Sequence, residues 1–156
     1  MTSASQARNA IKKCFKTILD PKPTEAQVDF LWKYFDSSCA YCGKRIERES
    51  RTGHKDHLVA QADGGLNGLG NLIFSCAICN GDEKLESGWN EFLKQKCSSD
   101  KLIFEERRQR VLDWIDRNGG VQRITAIQYA QVELAFQHVN KVLTEQVEKL
   151  RRPRDA

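Results

Sequence analysis

Two Cys-x-x-Cys turns, Cys39-Ala40-Tyr41-Cys42 and Cys76-Ala77-Ile78-Cys79, constrain the folding of this chain more than any other feature. A CxxC turn presents two sulfurs to one ion, and two such turns fill the tetrahedron that Zn²⁺ prefers, with no position left for water or substrate. The pattern predicts a closed, structural zinc site on Cys39, Cys42, Cys76 and Cys79, whose binding energy substitutes for core that a short unit lacks. Thirty-three residues separate Cys42 from Cys76, room for a hairpin and loop clamped at its base by the metal. The alternative, four core thiols, leaves two matched turns unexplained. Cys97, beside Ser98-Ser99, has no partner turn and is expected to be a free thiol.

Paired CxxC turns favour metal over disulfide in a reducing compartment. No apolar run approaches a membrane span, and the opening Met1-Thr2-Ser3-Ala4-Ser5 lacks a signal-peptide core, so a cytoplasmic, intracellular address is expected. The formal charge of +4 falls to +2 once four thiolates hold one Zn²⁺. A nucleic-acid partner must then be argued from where charge sits rather than from its total. Basic clusters stand at Lys44, Arg45, Arg48 and Arg51, at Arg107, Arg108 and Arg110, and in the tail Arg151-Arg152-Pro153-Arg154. Each also reads as an ordinary solvated face.

Around the knuckles the patterning is helical. Ala7, Ile11, Cys14, Phe15, Ile18 and Leu19 recur at helical spacing up to Pro21 and Pro23, and the same spacing assigns Cys14 to a core. Thr24-x-x-Gln27 offers a capping box to a second helix carrying Val28, Leu31, Trp32 and Phe35. Short apolar runs at Asp56–Ala60 and Leu72–Ser75 flank the connector Asp63-Gly64-Gly65-Leu66-Asn67-Gly68-Leu69-Gly70, which reads as strand, loop, strand. A helix should begin at the second knuckle, with a break near Ser87-Gly88. Another carries Phe104, Val111, Leu112 and Ile115 and ends at Asn118-Gly119-Gly120. The last stretch, 124–150, lacks Gly and Pro and could extend roughly 40 Å, too long for one small core to cover. It should pack across the domain or pair with a second chain. The predicted segments are a helical 1–38, a zinc-bound core 39–96 and a helical 97–156.

The residues between the knuckles carry the chemistry. Hydrolysing a phosphodiester needs a base for water and a cation against charge developing on the phosphoryl and leaving oxygens. Histidine is the side chain whose ordinary pKa lies nearest neutrality, and carboxylate and amide oxygens suit Mg²⁺. His57, Asp56 and Asn80 supply those types. With the first knuckle, Asp56-His57, Gly64-Gly65, Asn71-Leu72, the second knuckle, Asn80 and Lys84 in this order, the stretch Cys39–Lys84 resembles the HNH nucleases of the ββα-metal superfamily.

The resemblance implies an α+β fold, with a zinc-stapled ββα-metal (HNH) core embedded in a mainly α-helical single domain. It implies that His57 activates water for in-line attack and that Asp56 and Asn80 hold one Mg²⁺ or Mn²⁺. Asn71 would orient the loop or the imidazole of His57. By its spacing from Asn80, Lys84 reads as a substrate-phosphate contact or a solvated lysine, and His54, two residues before Asp56, as an accessory ligand or phosphate contact or an ordinary exposed histidine. The implied activity is a metal-dependent DNA endonuclease leaving 5′-phosphate and 3′-hydroxyl ends on DNA, double-stranded by expectation. A homodimer through the C-terminal helix would supply a second cutting head. Two points sit awkwardly. Neighbouring strand residues point to opposite faces, so Asp56 and His57 converge only at a strand end, bulge or strong twist. Ala60 stands where many of these nucleases carry proline, which leaves the loop less rigid. The competing reading is a noncatalytic zinc-ribbon module that binds nucleic acid or protein and treats Asp56, His57 and Asn80 as incidental.

Overall fold

The structure, a computed structural model, describes residues 3–151; Arg152 and Arg154 of the basic tail lie outside it. It divides into two compact units, one of residues 1–21 with 124–156, the other of residues 22–123.

The first unit is a helix pair. Helix α1 (Ala4–Leu19) opens on Ser3, which exchanges reciprocal side-chain and backbone hydrogen bonds with Gln6. Its half-buried Ala4, Ala7, Ile11, Phe15 and Leu19 fall at i, i+3, i+4 spacing. The final helix, which we call α5 (Ala126–Arg151), runs antiparallel to it. Arg8 Nε donates to Asn140 Oδ1 at 2.7 Å, and Lys12 meets Glu133 at 3.8 Å. No residue of either helix is fully buried, because two helices can cover only one side of each other. Cys14 is exposed, not a core thiol as its spacing suggests: it sits off the stripe that faces α5.

The second unit holds the knuckles. Helix α2 (Glu25–Tyr34) starts at Thr24 with the expected capping box to Gln27. Strands β1 (Gly53–His57) and β2 (Leu72–Cys76) form one antiparallel hairpin, paired from Gly53↔Cys76 to His57↔Leu72 without a bulge. After β2 comes a π-helix (Ile78–Glu83), closed by Lys84 N–H on the Cys79 carbonyl, five residues back, at 3.0 Å. The chain breaks at Ser87-Gly88, as expected, and continues as α3 (Trp89–Lys96) and α4 (Lys101–Arg117). These helices sandwich the hairpin: Leu31 of α2 and Phe35 just after it, Phe74 of β2, Phe92 and Leu93 of α3, and Val111 and Trp114 of α4 share one core. Trp114 Nε1 donates to the carbonyls of Leu69 (2.8 Å) and Leu72 (2.7 Å), which pins α4 to the entry of β2. The fold is thus α+β, with the hairpin enclosed by helices from both sequence flanks.

Candidate active site

Four sulfurs gather at the base of the hairpin. Cys39, Cys42, Cys76 and Cys79 bring their Sγ atoms within 4.8 Å of one another, and Cys42 lies 3.8 Å from Cys76. A tetrahedral ion with Zn–S bonds near 2.3 Å requires S···S edges of about 3.8 Å, so the cluster fits a zinc site. The thiols already share charge unequally. Hydrogen bonding from Cys39 pulls Cys42 down to about 5, whereas Cys39 is pushed up by that same bond and by its burial. Burial also pushes Cys79 up. A divalent ion reverses that penalty by favouring four thiolates at once. This is the only grouping of three or more Cys, His, Asp or Glu ligand atoms among the described residues.

The unbulged pairing sorts the remaining candidates by face. His54 and Asp56 share one side of β1 and His57 takes the other, as strand alternation dictates. On the first side the chain after the second knuckle lies alongside. Asn80 Nδ2 stands 3.2 Å from His54 Nδ1. Four residues on, Lys84 Nζ lies 3.2 Å from Asp56 Oδ1 and 3.1 Å from Oδ2, and donates to the His57 carbonyl at 3.0 Å. Tyr41 Oη donates to Asp56 Oδ2 at 2.6 Å. Burial, then the Asp56 charge, push the Tyr41 hydroxyl well above its ordinary range, which keeps its proton available.

This placement turns Lys84, the expected phosphate contact, inward at 6% exposure, because a buried carboxylate needs a counter-charge. It also bears on the cation. Asp56 and Asn80 are hard donors of the right type for Mg²⁺. The Asp56 carboxylate, however, already faces an ammonium and a phenol, so an ion would take it in competition with Lys84.

On the other side, His57 ends β1 half-buried, with Nε2 3.1 Å from Asn67 Oδ1. An amide oxygen accepts, so this contact places the ring proton on Nε2 and leaves Nδ1 as the acceptor. Asn67 belongs to the loop that Asn71 organises. Asn71 is fully buried; its Oδ1 accepts from Val59 N–H at 2.8 Å, and its Nδ2 donates to the carbonyls of Val59 (3.0 Å) and Leu66 (2.9 Å). Asn71 therefore acts on the loop, and reaches the imidazole only through it. Gly65 leaves room for this network: a Cβ there would lie 1.9 Å from the Val59 carbonyl oxygen.

Residues 39–85 match the HNH endonuclease family. The HNH segment therefore spans both knuckles, the hairpin and the π-helix that carries Asn80. The chain is also similar to YoqL, a protein derived from the SPbeta prophage of Bacillus subtilis (strain 168) and named provisionally as an HNH endonuclease. The two are 27% identical over 126 residues, which cover 72% of this chain and 52% of that protein. The chain thus spans about half the length of that relative.

Two residues around the HNH segment's polar groups escape sequence reasoning. Tyr41 reads as a spacer inside a CxxC turn, and Asn67 as one more polar residue in a glycine-rich connector. Only the aromatic character of Tyr41 hints that it is buried. Among the described residues, no helix is long and apolar enough to cross a membrane.

Proposed function

We propose that this protein is a divalent-cation-dependent DNA endonuclease whose general base is His57. The observation that carries the reading is the His57 imidazole at the end of β1, with Nε2 held by Asn67, inside the HNH-matching segment. In this role Nδ1 takes a proton from water, the water oxygen attacks phosphorus, the bond to the 3′ oxygen breaks in line, and that oxygen takes up a proton from solvent. The ends are a 5′-phosphate and a 3′-hydroxyl. A hard cation held by Asp56 and Asn80 would supply positive charge against the phosphoryl and leaving oxygens. Asn67 fixes the imidazole tautomer, Asn71 fixes the loop bearing Asn67, and His54 orients Asn80. The four cysteines, with Zn²⁺, keep the hairpin and the π-helix in register.

One site per chain cuts one strand. Cutting both strands of duplex DNA calls for a second copy, and α5 exposes Ile127, Leu134, Val142 and Leu150 for self-association. One observation favours the noncatalytic zinc module instead: Asp56 is buried and neutralised by Lys84, as a purely structural carboxylate would be. Incubation of the zinc-loaded protein with supercoiled plasmid separates the two readings. Nicking or linearisation that needs Mg²⁺ or Mn²⁺ and stops with EDTA supports the nuclease. Intact plasmid across varied DNA substrates supports the module.

A further inference from the structure

We infer that helix α1 grips the phosphate backbone of DNA, in addition to the contact that cleavage makes at the HNH segment. The partition of charge leads to this. Residues 22–123 contain sixteen Lys and Arg against sixteen Asp and Glu, so the unit holding the knuckles is neutral before its thiolates and zinc are counted and anionic after. The whole excess of +4 lies in the helix-pair unit, which has nine basic and five acidic residues. Within it, α5 carries three of each sign, whereas the sixteen residues of α1 contain Arg8, Lys12, Lys13 and Lys16 and no acid.

Those four cations are placed together. Arg8, Lys12 and Lys16 are spaced i, i+4, i+8, and Lys13 flanks them, so one side of α1 is basic over about 12 Å of its length. The apolar stripe of the same helix faces α5 and is used up there. Arg8 and Lys12 also touch α5, through Asn140, Thr144 and Glu133. Lys13 and Lys16 are exposed and make no ion pair among the described residues. Lys13 and Lys16, exposed cations on a helix whose apolar face is already covered, fit a polyanion read by charge alone. Duplex DNA presents such a ladder, with one phosphate charge per roughly 1.7 Å of axis. The choice of nucleic acid over another polyanion rests on the nuclease reading.

The test is binding of the full-length, zinc-loaded protein to a fluorescent DNA duplex in buffer without Mg²⁺ or Mn²⁺, by anisotropy over a salt series. Neutralising two phosphate contacts should lower the slope of log Kd against log salt by about 2. The variant Lys13→Gln/Lys16→Gln is expected to show that loss, with affinity at least tenfold weaker near 100 mM salt. The matched core variant Lys44→Gln/Arg45→Gln is expected to keep a nearly wild-type slope. Circular dichroism checks that both pairs of substitutions leave the helices intact. An unchanged slope in the α1 variant, or a larger loss in the core variant, overturns the inference. So does a wild-type protein that ignores DNA but binds anionic lipid vesicles through Lys13 and Lys16. DNA bound through α1 by a protein that never cuts would sink the nuclease reading and leave the grip standing.

Discussion

The Lys84 ammonium lies 3.1 Å from Asp56 Oδ2, with both side chains withdrawn from solvent. The pair ties the end of β1 to the chain leaving the π-helix, and Tyr41 completes the carboxylate's shell from inside the first knuckle. Removing one member of a buried pair strands the other charge, at a cost of about 3–5 kcal/mol. Lys84→Met should therefore lower the stability of the zinc-loaded protein by that amount, read from urea unfolding with no other divalent ion added. Mn²⁺ should return part of the loss, because a divalent ion on Asp56 replaces the missing ammonium. A zinc-loaded variant as stable as wild type without added Mn²⁺ would contradict the pairing.

Asn71 and Asn67 separate stability from activity. Asn71→Ala deletes three hydrogen bonds at a fully buried site and strands backbone groups of Val59 and Leu66, which predicts a loss of about 3 kcal/mol by denaturant titration. Asn67→Ala touches a half-buried loop residue and should cost about 1 kcal/mol or less. It should nevertheless slow DNA cleavage at least tenfold by freeing the His57 ring. Equal effects of the two variants on both readouts would remove the distinction.

At Ala60 the backbone has φ −59°, within the range that proline imposes, and its N–H donates no hydrogen bond among the described residues. Ala60→Pro should stabilise the protein by about 0.4–1 kcal/mol through the unfolded chain. A drop in Tm would show that Val59, held by Asn71, cannot accept a following proline.

Much of this architecture was legible because its signals are local. The capping box at Thr24, the break at Ser87-Gly88 and the end of α4 at Asn118 each depend on a few neighbouring residues. The four cysteines were legible because metal chemistry fixes both ligand type and spacing. What escaped depends on tertiary environment. The inward turn of Lys84 follows from Asp56 being buried, which a charged residue in an alternating strand does not announce. The role of Asn67 depends on how a glycine-rich loop folds back over β1. The exposure of Cys14 follows from α1 having a single helix for a partner, a matter of topology beyond the reach of periodicity.

Zinc on the four cysteines would carry much of the second unit's stability. Chelation of zinc, or Cys39→Ser, should collapse the cooperative unfolding transition of residues 22–123, since a closed site of this kind supplies folding energy outright. Elemental analysis should find one zinc per chain in the wild type. Retention of a sharp transition after chelation would show that the helices hold the hairpin unaided.

Plasmid cleavage by His57→Ala beside the wild type, both shown to carry zinc, tests His57 as the base of a nuclease. The wild type should nick with Mg²⁺, and the variant at least a hundredfold less. Equal cutting by both proteins would contradict that role.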